Sequence, residues 1–200
     1  MKETIDFLST KHPVFQTIID TYGLPKISKR TPGFQTLALL ILEQQVSIDS
    51  AKATFQKLNN KVTAFEPQFL AILSDEEFRA AGVSRQKTSY IKGLATTILE
   101  GKLDVESLET KSAEAVREEL IKIKGIGNWT IDVYLMFSLN APDVIPLGDI
   151  AVINTIKELF DIHDKQQMEL LATDWSPHRS YATFLLWHHY LEKRGRKVTF

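Results

Sequence analysis

Cysteine is absent from the 200-residue chain. That removes disulfides, thiolate-bound zinc, a cysteine nucleophile and any cysteine-ligated iron–sulfur cluster. No apolar run is long enough to span a bilayer. The opening MKETIDFLSTKHP has neither the apolar core nor the small-residue cleavage pattern of a secretory signal, so a cytoplasmic location is expected. An excess of either charge is also missing: 24 Lys+Arg stand against 25 Asp+Glu, a formal net charge of −1. Proteins that hold nucleic acid by neutralising phosphates usually carry a basic excess, and the total argues mildly against such a partner. A local site built from backbone N–H groups and a few cations escapes that argument.

What is present is an ordinary globular composition, 44% hydrophobic, long enough for a substantial core. Apolar residues recur three and four positions apart, without alternating strands joined by hairpin turns, so the fold class is all-α, of about ten short helices. Thr31 and Pro32 precede an apolar helix over 34–42, and Ser47 opens the next, so that two helices meet around EQQVS. Ser74 with Glu77 forms a capping-box pattern, and Ser84 opens a longer helix to Ile98 that Gly101 ends. Further helices are expected over 112–122, 128–139, 149–160 and from Ser176 or Pro177 to about Arg194. The whole is read as a single domain: terminal helices 1–30 and 150–200 form one layer, and 31–149 a central bundle.

The most informative segment is EELIKIKGIGNWTIDVY, Glu118 to Tyr134, in which one helix ends at a short glycine-rich turn and another begins at once. Gly125 and Gly127 can take backbone conformations costly for other residues, and without side chains they let a phosphate approach the N–H groups of the turn. Thr130 can add a hydroxyl near the positive end of the second helix. A plain helix C-terminus and tight turn explains the two glycines alone equally well; the Trp and Thr that follow, and an acidic helix entrance further on, favour the functional reading.

With these residues in view, the chain resembles the helix-hairpin-helix (HhH-GPD) DNA glycosylase superfamily, in particular its alkylbase, or 3-methyladenine, branch. HPVFQTIIDTYG and FQTLALLILEQQVSIDSA look like its first helices, RQKTSYIKGLA its middle segment, IKGIGNWT its hairpin, VIPLGDIAV its acidic site and WSPHRSYATFLLW its last helix. The resemblance implies two helical subdomains flanking a DNA-binding cleft, here without an amino-terminal sheet domain. It implies a monomer acting on damaged double-stranded DNA, at the nucleoid if the source is bacterial, with no membrane. No catalytic cofactor is expected, neither zinc nor an iron–sulfur cluster; the carbonyls of Ile121, Ile123 and Ile126 would hold a structural Na+ or K+.

The same resemblance assigns roles. Asp149 takes the position of the catalytic aspartate, although locally an acid before an apolar-periodic helix reads as an N-cap; the two roles are compatible. Trp129 and Trp187 match aromatic walls for a flipped base, where cation–π attraction suits an alkylated purine. Tyr134, Asp132 and His188 are weaker substrate candidates, against core packing for the tyrosine, an exposed helical carboxylate for Asp132 and capping or solvation for His188. Gln45 matches the wedge that fills the gap left by the base, with Gln44 and Ser47 beside it, against the plainer reading of a polar helix end. Lys124, Gly125, Gly127, Asn128 and Thr130 are the expected DNA contacts of the hairpin. Trp129 stands where bifunctional relatives carry the Schiff-base lysine, which disfavours a lyase step. A non-catalytic hairpin module, or a glycosylase for oxidised or mismatched bases, are the alternatives.

Overall fold

In the computed structural model, which describes residues 1–196, every regular element among the described residues is helical. The helices are α1 (Lys2–Lys11), α2 (Val14–Tyr22), α3 (Phe34–Glu43), α4 (Ile48–Asn59), α5 (Pro67–Ile72), α6 (Asp75–Ala80), α7 (Arg85–Leu99), α8 (Ala113–Leu120), α9 (Asn128–Phe137), α10 (Ile150–Phe160), α11 (Lys165–Thr173) and α12 (Arg179–Glu192), with one 3-10 turn at Ser107–Thr110. None is long and apolar enough to cross a membrane.

Local chemistry sets most of the entrances. The hydroxyls of Ser47, Ser84 and Ser112 accept from the N–H groups of Ser50, Lys87 and Ala115, and Ser74 with Glu77 closes the full capping box, each satisfying donors that a helix leaves open. Several ends differ from the expectation: α9, expected to run to residue 139, stops at Phe137, and α8 and α12 also depart from it. Helix α8 stops at Leu120 rather than Lys122, because the Lys122 and Ile123 N–H groups turn back to Glu119 and Leu120 at 3.3 and 3.0 Å. Helix α12 begins at Arg179 rather than at Ser176 or Pro177, with the Arg179 N–H taken by the Asp143 carboxylate.

The chain divides into two compact units, residues 1–29 with 135–200, and 30–134. One change of unit falls inside α9, whose end is drawn into the terminal unit by aromatic packing: Phe137 meets Phe184 and Trp187 of α12 at centroid distances of 5.1 and 5.8 Å. Within the terminal unit, α12 is buried from Ala182 to His189 and packs on α10 and α2, while Phe15, Phe160 and Trp175 form a second ring cluster. Within the other unit α3 is the axis. Leu37, Leu40, Ile41 and Leu42 are fully buried, and α4 and α7 pack against it. Replacing Leu40 by Ala should remove about 2–5 kcal/mol of stability, read as a lower urea midpoint at unchanged slope.

Candidate functional site

The hairpin is built within residues 30–134. After α8 the chain turns through Ile121–Gly127, the Ile126 N–H closing on the Ile123 carbonyl at 3.0 Å, and α9 starts on Asn128. Gly125 has φ +93, and a Cβ built on it would collide with the ring of Tyr90 and lie 2.6 Å from its Cβ. Backbone conformation and contact both require glycine here. Gly127 differs from the expectation: its φ is not left-handed, and a Cβ would meet nothing within 4 Å. Its exposure, with that of Lys124 and Asn128, leaves the positive end of α9 accessible, the arrangement that receives an anion.

Thr130 does not offer its hydroxyl outward. It is buried, and its Oγ1 accepts from Gln44 Nε2 at 3.0 Å, while the same nitrogen donates to the Gly125 carbonyl at 2.8 Å. Gln44 is therefore turned into the protein, bracing the hairpin instead of reaching for DNA. Ser47 is exposed and caps α4. Gln45 is exposed at the tip of the α3–α4 turn, with φ 59.

Tyr134 and Asp132 also face inward, because α9 is buried from Thr130 onward. Tyr134 has no exposed surface, and its hydroxyl accepts from the Gly33 N–H at 3.0 Å, so the ring has no face to offer a base; burial pushes its pKa up. Asp132 is buried, not exposed, and is paired with Arg117 of α8. Burial raises its pKa against the opposing pull of that guanidinium. Trp129, one residue inside α9, is half-buried.

The carboxylate site lies in the unit made of the chain termini. Asp149 is the N-cap of α10: its Oδ1 accepts from the Ala151 and Val152 N–H groups at 2.9 and 3.1 Å, and from the Trp187 indole Nε1 at 3.0 Å. Trp187 is itself only 7% exposed and lies nearly parallel to Phe137, at an interplanar angle of 20°. Its polar edge thus meets Asp149 and one face meets Phe137. His188 is buried, with Nε2 3.3 Å from the Tyr22 carbonyl, a packing role set by α2. The loop before α10 is anchored by Asp143, which takes a bidentate pair from Arg179 at 2.7 and 2.8 Å and a bond from Ser176 at 2.8 Å.

Among the described residues no group of three or more His, Asp or Glu side chains gathers for a metal. The hairpin carbonyls of Ile121, Ile123 and Ile126 are an oxygen-only donor set, chemically suited to a hard monovalent cation and unsuited to a transition metal. Sequence reasoning missed Lys87, Tyr90 and Phe137. The first two lie three apart in RQKTSYIKGLA, which puts them on one face of α7; that spacing was the available signal.

Residues 39–178 match the HhH-GPD superfamily of base excision DNA repair proteins. The chain is 30% identical to the DNA-3-methyladenine glycosylase of Bacillus subtilis over 77% of its own length and 56% of that protein. It superposes on a DNA-3-methyladenine glycosidase from Bacillus halodurans with TM-score 0.79 and 32% identity, covering 96% of this chain and 91% of that one. It also superposes on the Schizosaccharomyces pombe 3-methyladenine DNA glycosylase, solved in complex with abasic DNA, with TM-score 0.82 and 25% identity over 92% and 95%. Among its curated relatives the chain spans from 15% to 78% of the whole protein, and 44% of a second Bacillus subtilis relative.

The two glycines should respond differently to alanine. Gly125→Ala must strain the backbone and displace Tyr90, costing about 2 kcal/mol or more, whereas Gly127→Ala should stay within about 0.5 kcal/mol of wild type, both read by chemical denaturation. Asp143 gives a pH test. Burial raises its pKa, but the bonds from Arg179 and Ser176 outweigh it and hold the carboxyl below its ordinary value. Its contribution is therefore complete above the unfolded carboxylate pKa, about 4, and is lost as pH falls through the lower folded value. Asp143→Asn should flatten that acid limb of stability against pH.

Proposed function

The chain belongs to the HhH-GPD superfamily of base excision DNA repair proteins, and we propose that it is a monofunctional glycosylase hydrolysing the N-glycosidic bond of alkylated purines of the 3-methyladenine and 7-methylguanine type. It acts as a monomer on double-stranded DNA, in the cytoplasm. The observation that carries the reading is the convergence of two helix N–H groups and an indole N–H on one oxygen of Asp149. A carboxylate so held keeps its charge in a fixed place, as is needed to stabilise the positive sugar that forms when the bond to the base breaks. Asp149 also orients or deprotonates the water that completes hydrolysis. The base is first turned out of the stack, with Gln45 filling the gap and Trp129 offering a face to the cationic purine. Gly127, Asn128 and Lys124 receive the backbone phosphate, assisted by a Na+ or K+ on the Ile121, Ile123 and Ile126 carbonyls. That cation positions phosphate and carries no chemical step.

The fission yeast and Bacillus proteins named above support the alkylated substrate, and Trp129 in the place of a Schiff-base lysine supports hydrolysis without a lyase step.

The test is base release from methylated duplex DNA by wild type and Asp149→Asn. Asparagine keeps an oxygen able to accept the same three bonds, so the variant removes charge and leaves the fold. Release should fall about a hundredfold or more, and strand breaks should appear only after alkali. Breaks before alkali would overturn the monofunctional assignment. A wild type that binds duplex yet releases no base from alkylated, oxidised or mismatched DNA would replace this reading with a non-catalytic hairpin clamp.

A further inference from the structure

The turn carrying Gln45 and the hairpin are joined by a closed circuit of contacts through α7. Lys87 Nζ donates to the carbonyls of Leu42, in the last turn of α3, and of Gln44, just beyond that helix, at 2.7 and 2.8 Å. From the residue so held, the Gln44 amide reaches across to the Gly125 carbonyl and Thr130 Oγ1. Gly125 in turn lies against the ring of Tyr90. Tyr90 is three residues from Lys87 on the same face of α7, so the circuit returns to its starting helix. All of these residues belong to the unit 30–134.

We propose that Lys87 and Gln44 are positioning residues that lock the Gln45 turn and the hairpin into one register, so that the side chain entering the duplex and the backbone holding its phosphate engage DNA as one body. The inference rests on the mode of DNA engagement proposed above. Chemistry supports a positioning role over simple packing. Lys87 is half-buried, and burial pulls its pKa down; an apolar side chain would avoid that desolvation but could not donate to two carbonyls at once. Gln44 must donate from one nitrogen to two oxygens, which glutamate cannot do and a shorter amide would not reach. The position after it, Gln45, has φ 59, a conformation that persists in a residue with a side chain only where its surroundings dictate it.

The experiment compares wild type with Lys87→Met, Lys87→Arg, Gln44→Ala and the Lys87→Met/Gln44→Ala double variant. Amide hydrogen exchange is followed over 43–47 and 121–130. Affinity is measured for an intact duplex and for one carrying a tetrahydrofuran abasic-site analogue. The bonds of Lys87 fall on the Gln45 turn alone, yet Lys87→Met should speed exchange in the hairpin as well. It should weaken binding of the abasic duplex about tenfold while changing the intact duplex less than about threefold. Lys87→Arg should restore both readouts, and the double variant should lose no more than the worse single one, since both break the same circuit. Faster exchange confined to 43–47, equal losses on both duplexes, or additive losses would each overturn the proposal. If Lys87→Met does not fold, Gln44→Ala must show the same difference between the two duplexes or the proposal fails. None of these readouts needs turnover, so a wild type that released no methylpurine would sink the glycosylase reading and leave this comparison to be decided by its own outcome.

Discussion

Three N–H donors converge on a single carboxylate oxygen in the unit made of the chain termini, and the rest of that unit is arranged to hold them there. Asp149 Oδ1 is held by the first turn of α10 and by the Trp187 indole, and each donor needs a separate support. The helix N–H groups need α10 seated on α12. The indole needs Phe137 lying along its face. The loop before Asp149 needs the Asp143–Arg179 pair that ties it to the start of α12. An acid at a helix N-terminus is usually satisfied by two backbone groups; the third donor, from a residue 38 positions away in sequence, is what distinguishes this one from an ordinary cap. A cap holds a helix end. A carboxylate clamped from two elements also has its own direction fixed.

That distinction explains which parts of the site could be read from the sequence. The caps at Ser47, Ser74, Ser84 and Asp149 rest on interactions two or three residues long, and all are present. The left-handed Gly125 follows from a turn just as local. The roles of Thr130, Asp132, Tyr134 and His188 depend on which way two helices face, and periodicity fails there. Helix α9 reads NWTIDVYLMF, with no polar stripe to mark a solvent side, and its polar groups are satisfied from outside the helix: Thr130 by Gln44, Asp132 by Arg117 and Tyr134 by Gly33. The partners are up to 101 residues away. No window of sequence contains them, and the family resemblance identified α9 as important without saying which of its side chains point inward. The change of unit inside α9 was hidden for the same reason, since a helix apolar on every side can pack with either neighbour.

The balanced charge of the chain, a net −1, is also resolved by where the charges stand. Buried or half-buried acids are matched by arginines inside the fold, Glu43 by Arg30, Asp132 by Arg117 and Asp143 by Arg179. Each pair cancels, so the net −1 is unchanged without them, and that total says nothing about any one place on the surface. What remains at the hairpin is a helix N-terminus with exposed Lys124, Gly127 and Asn128, and its partial positive charge comes from the backbone, which composition does not register. A sum over side chains is therefore a poor guide to local positive charge supplied by peptide groups.

The same economy of backbone appears at Gln45. A left-handed residue with a side chain is disfavoured by about 1–2 kcal/mol, and glycine would remove that cost. The fold instead surrounds the position with anchors: Glu43 is ion-paired with Arg30, the Gln44 carbonyl is held by Lys87, and the Gln44 side chain is tied to Gly125 and Thr130. Gln45 itself is exposed, so its side chain does no packing that would justify the strain from within the protein. A side chain is kept at a strained and solvent-facing tip whose two preceding residues are fastened, and the wedge role proposed for it above gives that side chain a use outside the protein.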